Sequence, residues 1–432
     1  MVPREGVIEK MNRLYIIVAA FFVLIFVRPA RPAYGQSLED FISEAMDHNL
    51  EVQAARERWR AAEAMTPSAW ALPDPRIGLS YQKNPGSIFT LGEARMRMLT
   101  VSQTIPFPLK MTSRARLYHA GARQARWQYQ AVRQDVAAKV KVAFYQLFVL
   151  QRSLDIMEEQ IELLQSLEET ARSQYAVGQA PQHEVLKAQV ELSLMVDEKD
   201  ILEKEKIPAT RARLAALLNR PDDADLRVPD DVDLPPMVFT DEQLLSLALD
   251  HRPGLRATKE EVRKAEASFS LARWGYFPDL TVSFLQERME TSTGAENTRG
   301  LTLNINLPLW FWGHRAEVSE KKGYRTVAAD RYGDLQSRTR AEVMETLAAY
   351  RSSRSRAELI ETTILPLAEQ SLKAARAAYE NRQADFLDLL SAQRNLLDAQ
   401  LKHDQALGDA GASLARLERV VGVQFSNDEE MR

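Results

Sequence analysis

The chain has no cysteine among its 432 residues. That excludes disulfides, thiolate metal sites, thiol catalysis and a lipid-modified N-terminal cysteine. Glycine is scarce, at 17 residues, which favours helix over sheet. No sign of charge dominates: the formal net charge is −4, so no global basic surface points to nucleic acid or to anionic lipid. Long apolar runs are missing beyond the N-terminal region, and the mean hydropathy of −0.33 is that of a soluble protein. No mature segment therefore qualifies as a membrane-spanning helix. Catalytic signatures are absent as well. His48, His119, His183, His251, His314 and His403 form no i,i+4 pair and no metal-ligand spacing. There is no phosphate loop, nucleophile elbow or dinucleotide fingerprint. The sequence thus predicts no enzyme, no metal site and no cofactor.

What is present begins with an export signal. Met11-Asn12-Arg13 precedes an apolar run over 14–27, and the small residues Ala33 and Gly35 stand before Gln36. Residues 1–35 read as a signal peptide, because the run is shorter than the ~20 residues that a membrane anchor needs.

The rest is two copies of one plan. Ala45-Met46-Asp47-His48 returns as Ala248-Leu249-Asp250-His251, and Trp70 as Trp274. Pro73-Asp74 lines up with Pro278-Asp279, Ile105-Pro106-Phe107 answers Leu307-Pro308-Leu309, and Tyr175 with Gln189 answers Tyr379 with Gln393, all at an offset of 202 to 205. The copies are 36–220 and 241–423, joined by a proline- and aspartate-rich linker over 221–240 and followed by a tail over 424–432. Each copy reads as helix, two strands, a very long helix, a tight turn and a further helix. The strands fall at about 75–82 and 95–106, then at about 279–288 and 299–308. The long helices fall at about 109–177 and 314–381, and the returning helices at about 182–218 and 385–421. A helix over 109–177 is a rod of roughly 100 Å, which needs partners in water. Val140, Ala143, Leu147, Leu150, Leu154, Met157, Ile161 and Leu164 form one coiled-coil stripe. Val142, Val149, Ile156 and Leu163 form a second on another side. Two stripes mean two neighbours, in a ring or sheet of helices or in the core of a four-helix bundle.

The strands alternate apolar with small polar residues, as in Leu301, Leu303, Ile305 and Leu307 against Thr302, Asn304 and Asn306. An outer-membrane barrel has that dyad pattern, although a half-buried sheet over a core alternates likewise. Residues 83–94 and 290–298 read as exposed loops between paired strands. Trp70, Trp274, Trp310 and Trp312 lie near strand ends, where aromatics anchor at a lipid–water boundary. Four strands per chain are too few for a closed barrel, which takes at least about eight, and an open sheet edge cannot sit in lipid. Several chains must share one barrel, and three supply twelve strands.

These residues resemble the TolC family of outer-membrane efflux ducts over nearly all of the mature chain. The most specific marks are Tyr175-Ala176-Val177-Gly178-Gln179 leading to Glu184-Val185-Leu186-Lys187-Ala188-Gln189. Their counterpart is Tyr379-Glu380-Asn381-Arg382-Gln383 leading to Phe386-Leu387-Asp388-Leu389-Leu390-Ser391-Ala392-Gln393. The resemblance implies a mostly α homotrimer with a small transmembrane β part: a twelve-stranded barrel in outer-membrane lipid, continued through the periplasm by a long α-helical barrel. It implies a passive exit duct whose partners are a periplasmic adaptor and an inner-membrane pump. The adaptor would dock at the tips, Val177, Gly178 and Gln179 in one copy and Asn381, Arg382 and Gln383 in the other. Glu184, Asp388 and Tyr379 match aperture positions, with Tyr379 bonding Glu184; a ring of such carboxylates attracts cations. Arg382 departs from the family's glycine, and Asn381 is the candidate to take the left-handed turn position in its place. Ala384 and Ser391 depart from an arginine and a second aspartate found in some members, which makes the lock weaker or differently built. The tip helix and Leu217-Leu218-Asn219-Arg220-Pro221 lean toward ducts of heavy-metal pumps, with drugs or other small molecules as the alternative cargo. A competing reading is a periplasmic coiled-coil adaptor or structural rod without a barrel; the duplicated strand pairs favour the duct.

Overall fold

In a computed structural model, the described residues are 37–82, 96–221, 226–229, 232, 234, 235, 237, 239–291, 294–381 and 383–425. The signal segment 1–35, the loop 83–94, Arg382 and the tail beyond 425 lie outside them. The first copy comprises α1 (Leu38–His48), α2 (Leu50–Ala64), β1 (Arg76–Gln82), β2 (Met96–Ile105), α3 (Pro108–Ala176), α4 (Gln182–Ile201) and α5 (Ile207–Leu218). The second comprises α6 (Asp241–His251), α7 (Pro253–Trp274), β3 (Leu280–Thr291), β4 (Gly294–Ile305), α8 (Phe311–Leu359), α9 (Leu365–Glu380) and α10 (Phe386–Val421).

The single helix expected at the head of each copy is two. Asn49 accepts from the backbone N–H of Glu51 and Val52 and so starts a new helix. In the second copy Arg252 is non-helical and Pro253 opens the next helix. Both late prolines are absorbed without a break. A single wide turn, Leu202–Lys206 before Pro208 and Ile360–Ile364 before Pro366, stands ahead of each ring. One extra residue per turn moves away the carbonyl that the proline ring would strike.

The helices form one layer. In its lower half the order is α4/α5, α3, α10, α8/α9; in its upper half it is α2, α3, α7, α8. Leu164 of the first stripe packs with Val185 of α4, and Val149 of the second meets α10 beside Tyr145, whereas Val142 lines an open groove. The main core gathers Phe41, Val140, Phe144, Leu147 and Leu214. Segment 221–240 is no free linker: Leu226, Val228 and Leu234 are buried in that core, and Tyr350 Oη donates to the Pro235 carbonyl at 3.2 Å.

The sheet is antiparallel in the order β1-β2-β3-β4. One row, Ile77–Val101–Phe284–Leu301, is apolar across all four strands, and the neighbouring row Arg76–Ser102–Ser283–Thr302 is polar on the other face. Residues 290–298 differ from the loop expected there: pairing runs out to Thr291 with Gly294, so most of the stretch is strand.

Candidate functional site

The site is built at the lower end, where two hairpins meet. Gly178 has φ +71, a left-handed position that suits glycine. The amide of Gln179 closes that turn on the Gln174 carbonyl at 2.8 Å, and in the second copy the Gln383 amide closes on Ala378 at 2.7 Å. Asn381 is not left-handed, with φ −87. Its side chain instead donates to the Ala377 carbonyl at 2.8 Å and satisfies the helix end directly.

Phe386 and Leu390 of α10 enter the apolar seam of α3 and α4, among Leu164, Ala171, Val185 and Ala188. The Tyr379 ring meets Phe386 edge-on at 5.8 Å, and its hydroxyl donates to Gln174 Oε1 at 3.2 Å. The Glu184 carboxyl lies near that hydroxyl. Glu184 is 8% exposed. Burial first, then the charge of Asp385, raises its pKa, while His183 and the nearby Tyr379 hydroxyl act the other way. Burial and then the Glu184 charge raise the Tyr379 hydroxyl likewise. Asp388, at the equivalent place in the other copy, is exposed. The structure therefore brings Glu184 and Tyr379 together and leaves Asp388 apart.

Sequence reasoning missed Asp385, which starts α10 where Pro181 starts α4. It also missed a ladder above the tips. Arg394 holds both carboxylate oxygens of the buried Glu191 through its Nε and Nη2, and Gln393 donates to Gln160. Gln189 donates to Glu168 at 2.9 Å, and that hydrogen bond is the largest cause holding Glu168 below its ordinary value. The signal was there: Gln189 and Gln393 are repeat-equivalent, and so nearly are Glu191 and Arg394.

The sign of the pH effect follows from the raised pKa. The joined hairpins hold the Glu184 proton more tightly than parted hairpins would. Joining is therefore strengthened as pH falls through the raised value, fully so below the ordinary 4.5, and is lost as pH rises. The protection factor of the first α4 turn, which divides out the intrinsic slowing of amide exchange in acid, should rise on acidification, and Glu184→Gln should remove that rise. An unchanged profile in Glu184→Gln would place the titration elsewhere.

At the upper end, Asp279 accepts from the Phe107 amide at 2.8 Å and from Lys110 at 2.9 Å, fixing α3 under the sheet. Trp70, Trp310 and Trp312 are exposed beside it, whereas Trp274 packs on Phe107 and Phe277. Among the described residues no group of three or more His, Cys, Asp or Glu is placed to hold a metal ion, and no helix is long and apolar enough to cross a membrane.

A four-stranded sheet with an apolar face, carried on a duplicated layer of helices that ends in paired hairpins, is the protomer of an outer-membrane duct of the TolC type. The chain belongs to the outer membrane efflux protein family, whose model matches residues 41–220 and 244–423. It is 24% identical over 407 residues to the cobalt-zinc-cadmium resistance protein CzcC of Cupriavidus metallidurans, covering 92% of this chain and 93% of that one. It is 25% identical over 422 residues to the outer membrane protein TolC of Vibrio cholerae, covering 91% and 92%. Among solved structures, VceC of Vibrio cholerae superposes with TM-score 0.76 at 20% identity, over 90% of this chain and 97% of that one. CusC superposes with TM-score 0.77 at 16% identity, over 92% and 98%. The family is one of non-catalytic ducts, and membership supports a channel role in tripartite efflux with an outer-membrane location.

Proposed function

We propose that three copies of this chain form the exit duct of a tripartite efflux system. The observation that carries it is the matching of open edges. The sheet ends in β1 on one side and β4 on the other. The helical layer ends in α2 and α4/α5 of the first copy on one side and in α8 and α9 of the second copy on the other. One rotation about a common axis therefore pairs both edges at once, giving twelve strands above a ring of long helices. Ile77, Leu79, Leu301 and Leu303, each 62 to 79% exposed in the single chain, then face lipid. Trp70, Trp310 and Trp312 sit at the membrane boundary, with Trp274 behind them. An adaptor and an inner-membrane pump meet the tips, at Val177, Gly178 and Gln179 and at Asn381, Arg382 and Gln383. Glu184, Tyr379 and Asp388 form the aperture. Membrane fractionation with gel mobility before and after heating tests the assembly; a soluble monomer in the periplasm would refute it.

The matched relative that is a cobalt-zinc-cadmium resistance protein supports metal cations as cargo. A relative that belongs to a toluene efflux pump supports small molecules instead. Sensitivity of a deletion strain to zinc, cobalt and cadmium against toluene decides between them. In bilayer recordings Glu184→Ala with Asp388→Ala should lower cation selectivity, with exposed Asp388 carrying most of the change. Unchanged selectivity would remove both from the aperture.

A further inference from the structure

A second charged zone lies midway up the helical layer, on the face away from the core. The helix α3 is flanked there by α5 on one side and by α10 on the other, and α1 covers a third face through Phe41 against Phe144, rings 6.0 Å apart. The remaining face bears Asp135, Lys139, Val142 and Gln146, and with Arg213, Leu217, Arg416 and Arg419 it lines a groove of about 390 Å³. Asp135 is the acid in that lining. It holds Lys139 at 2.7 Å and Arg419 at 3.6 Å, and Glu51 of α2 stands 3.4 Å from the same Lys139. Arg213 donates to Gln146 at 3.1 Å. Arg416 is exposed and makes no hydrogen bond or ion pair with any described residue. The floor is apolar, made by Ala138, Val142, Ala143 and Leu217.

The covered side of the layer carries α1, α6 and the buried part of 226–235. A tube of twelve helices stays open only if that added material lies outside, so the groove faces the bore. On α8, Val343, Leu347 and Tyr350 are buried toward the covered side, which puts Glu345 on the bore side. The groove thus gathers four cations, Lys139, Arg213, Arg416 and Arg419, against Asp135 and the neighbouring Glu51, with Glu345 across the bore.

We propose that the three grooves of the trimer form an anion-binding belt inside the duct, above the acidic tips, and that its ligands are organic anions with an apolar body. The inference rests on the duct reading. Guanidinium groups supply charge-assisted hydrogen bonds to a sulfonate or carboxylate, and the apolar floor takes the hydrocarbon. Arg416, free of partners among the described residues, meets the anion without breaking an existing ion pair.

The test is single-channel recording of heat-modifiable trimers with naphthalenesulfonate added on the extracellular side, so that it reaches the belt without crossing the acidic mouth. The anion should block the wild-type current. Arg213→Gln with Arg416→Gln should weaken the block by about tenfold or more, and Arg213→Lys with Arg416→Lys should keep most of it. Equal block in the glutamine pair, or equal loss in the lysine pair, overturns the belt. Folded trimers that fail to conduct at all refute the duct reading and the belt with it; conduction without differential block refutes the belt alone.

Discussion

Phe284→Arg should abolish the outer-membrane trimer. Phe284 sits in the apolar row between Val101 and Leu301, four residues in from the nearer end of β3, and is 46% exposed in the single chain. A lipid-facing arginine near the bilayer midplane costs about 2–4 kcal/mol per chain, and a shared barrel would carry three. That sum rivals the net stability of an ordinary domain of about 5–15 kcal/mol. The variant should lose the heat-modifiable band from the outer-membrane fraction. Asn304→Lys, on the polar face of β4, should keep it. Wild-type mobility in Phe284→Arg would mean that this face does not meet lipid.

Gly411→Leu should separate the two repeats. A Cβ at Gly411 would stand 2.4 Å from the Tyr145 ring, and one at Gly408 would stand 2.2 Å from a Val149 methyl. Replacing a mid-helix glycine ordinarily gains up to about 1 kcal/mol in helix propensity. Here Tyr145 is buried and rigidly packed against Phe144, so it has nowhere to go. Overpacking of a full core costs about 1–3 kcal/mol, and a leucine lies at or beyond the upper end. The effect is structural as well as energetic, since the close approach of α3 and α10 sets the level from which both hairpins hang. Thermal dissociation of the trimer should fall by several degrees, and hydrogen exchange should rise in both helices. An unchanged melting profile would show that α10 can stand off from α3 at no cost.

The two changes probe different layers of one design. The sheet face answers to lipid, where the penalty is for a charge. The α3–α10 seam answers to packing, where the penalty is for volume. The tip answers to neither, since the raised pKa of its buried Glu184 makes its closure respond to pH.

Much of this was readable from residue order. The 204-residue register between Tyr175 and Tyr379, like that between Gln189 and Gln393, placed the hairpins, and alternation placed the strands to within a few residues at their lower ends. The exceptions have physical causes. The break between α1 and α2 depends on an Asn49 that also donates to the Leu217 carbonyl at 2.8 Å, 168 residues away. Strands β3 and β4 run past the apolar stretch because backbone pairing continues wherever two strands already lie side by side, whatever the side chains. Asn381 stays right-handed because its amide side chain caps the helix without the left-handed turn.

The absence of cysteine and the scarcity of glycine, with the duplication and the dyad strands, determined on their own a disulfide-free, mostly helical chain that is built twice and cannot close its sheet alone. Periodicity and turn chemistry are local, so sequence order carries them. The tertiary structure decided what the two copies do differently. Glu184 and Asp388 hold the same place in the repeat, yet one is buried and the other exposed. The first hairpin receives Tyr379 and Phe386 from the second, whereas the far side of the second is an open edge whose neighbour, in the proposed trimer, is another copy of the chain. Which cations gather around Arg416 was likewise beyond the sequence, because α3, α5 and α10 meet only after some 200 residues of chain have folded back on themselves.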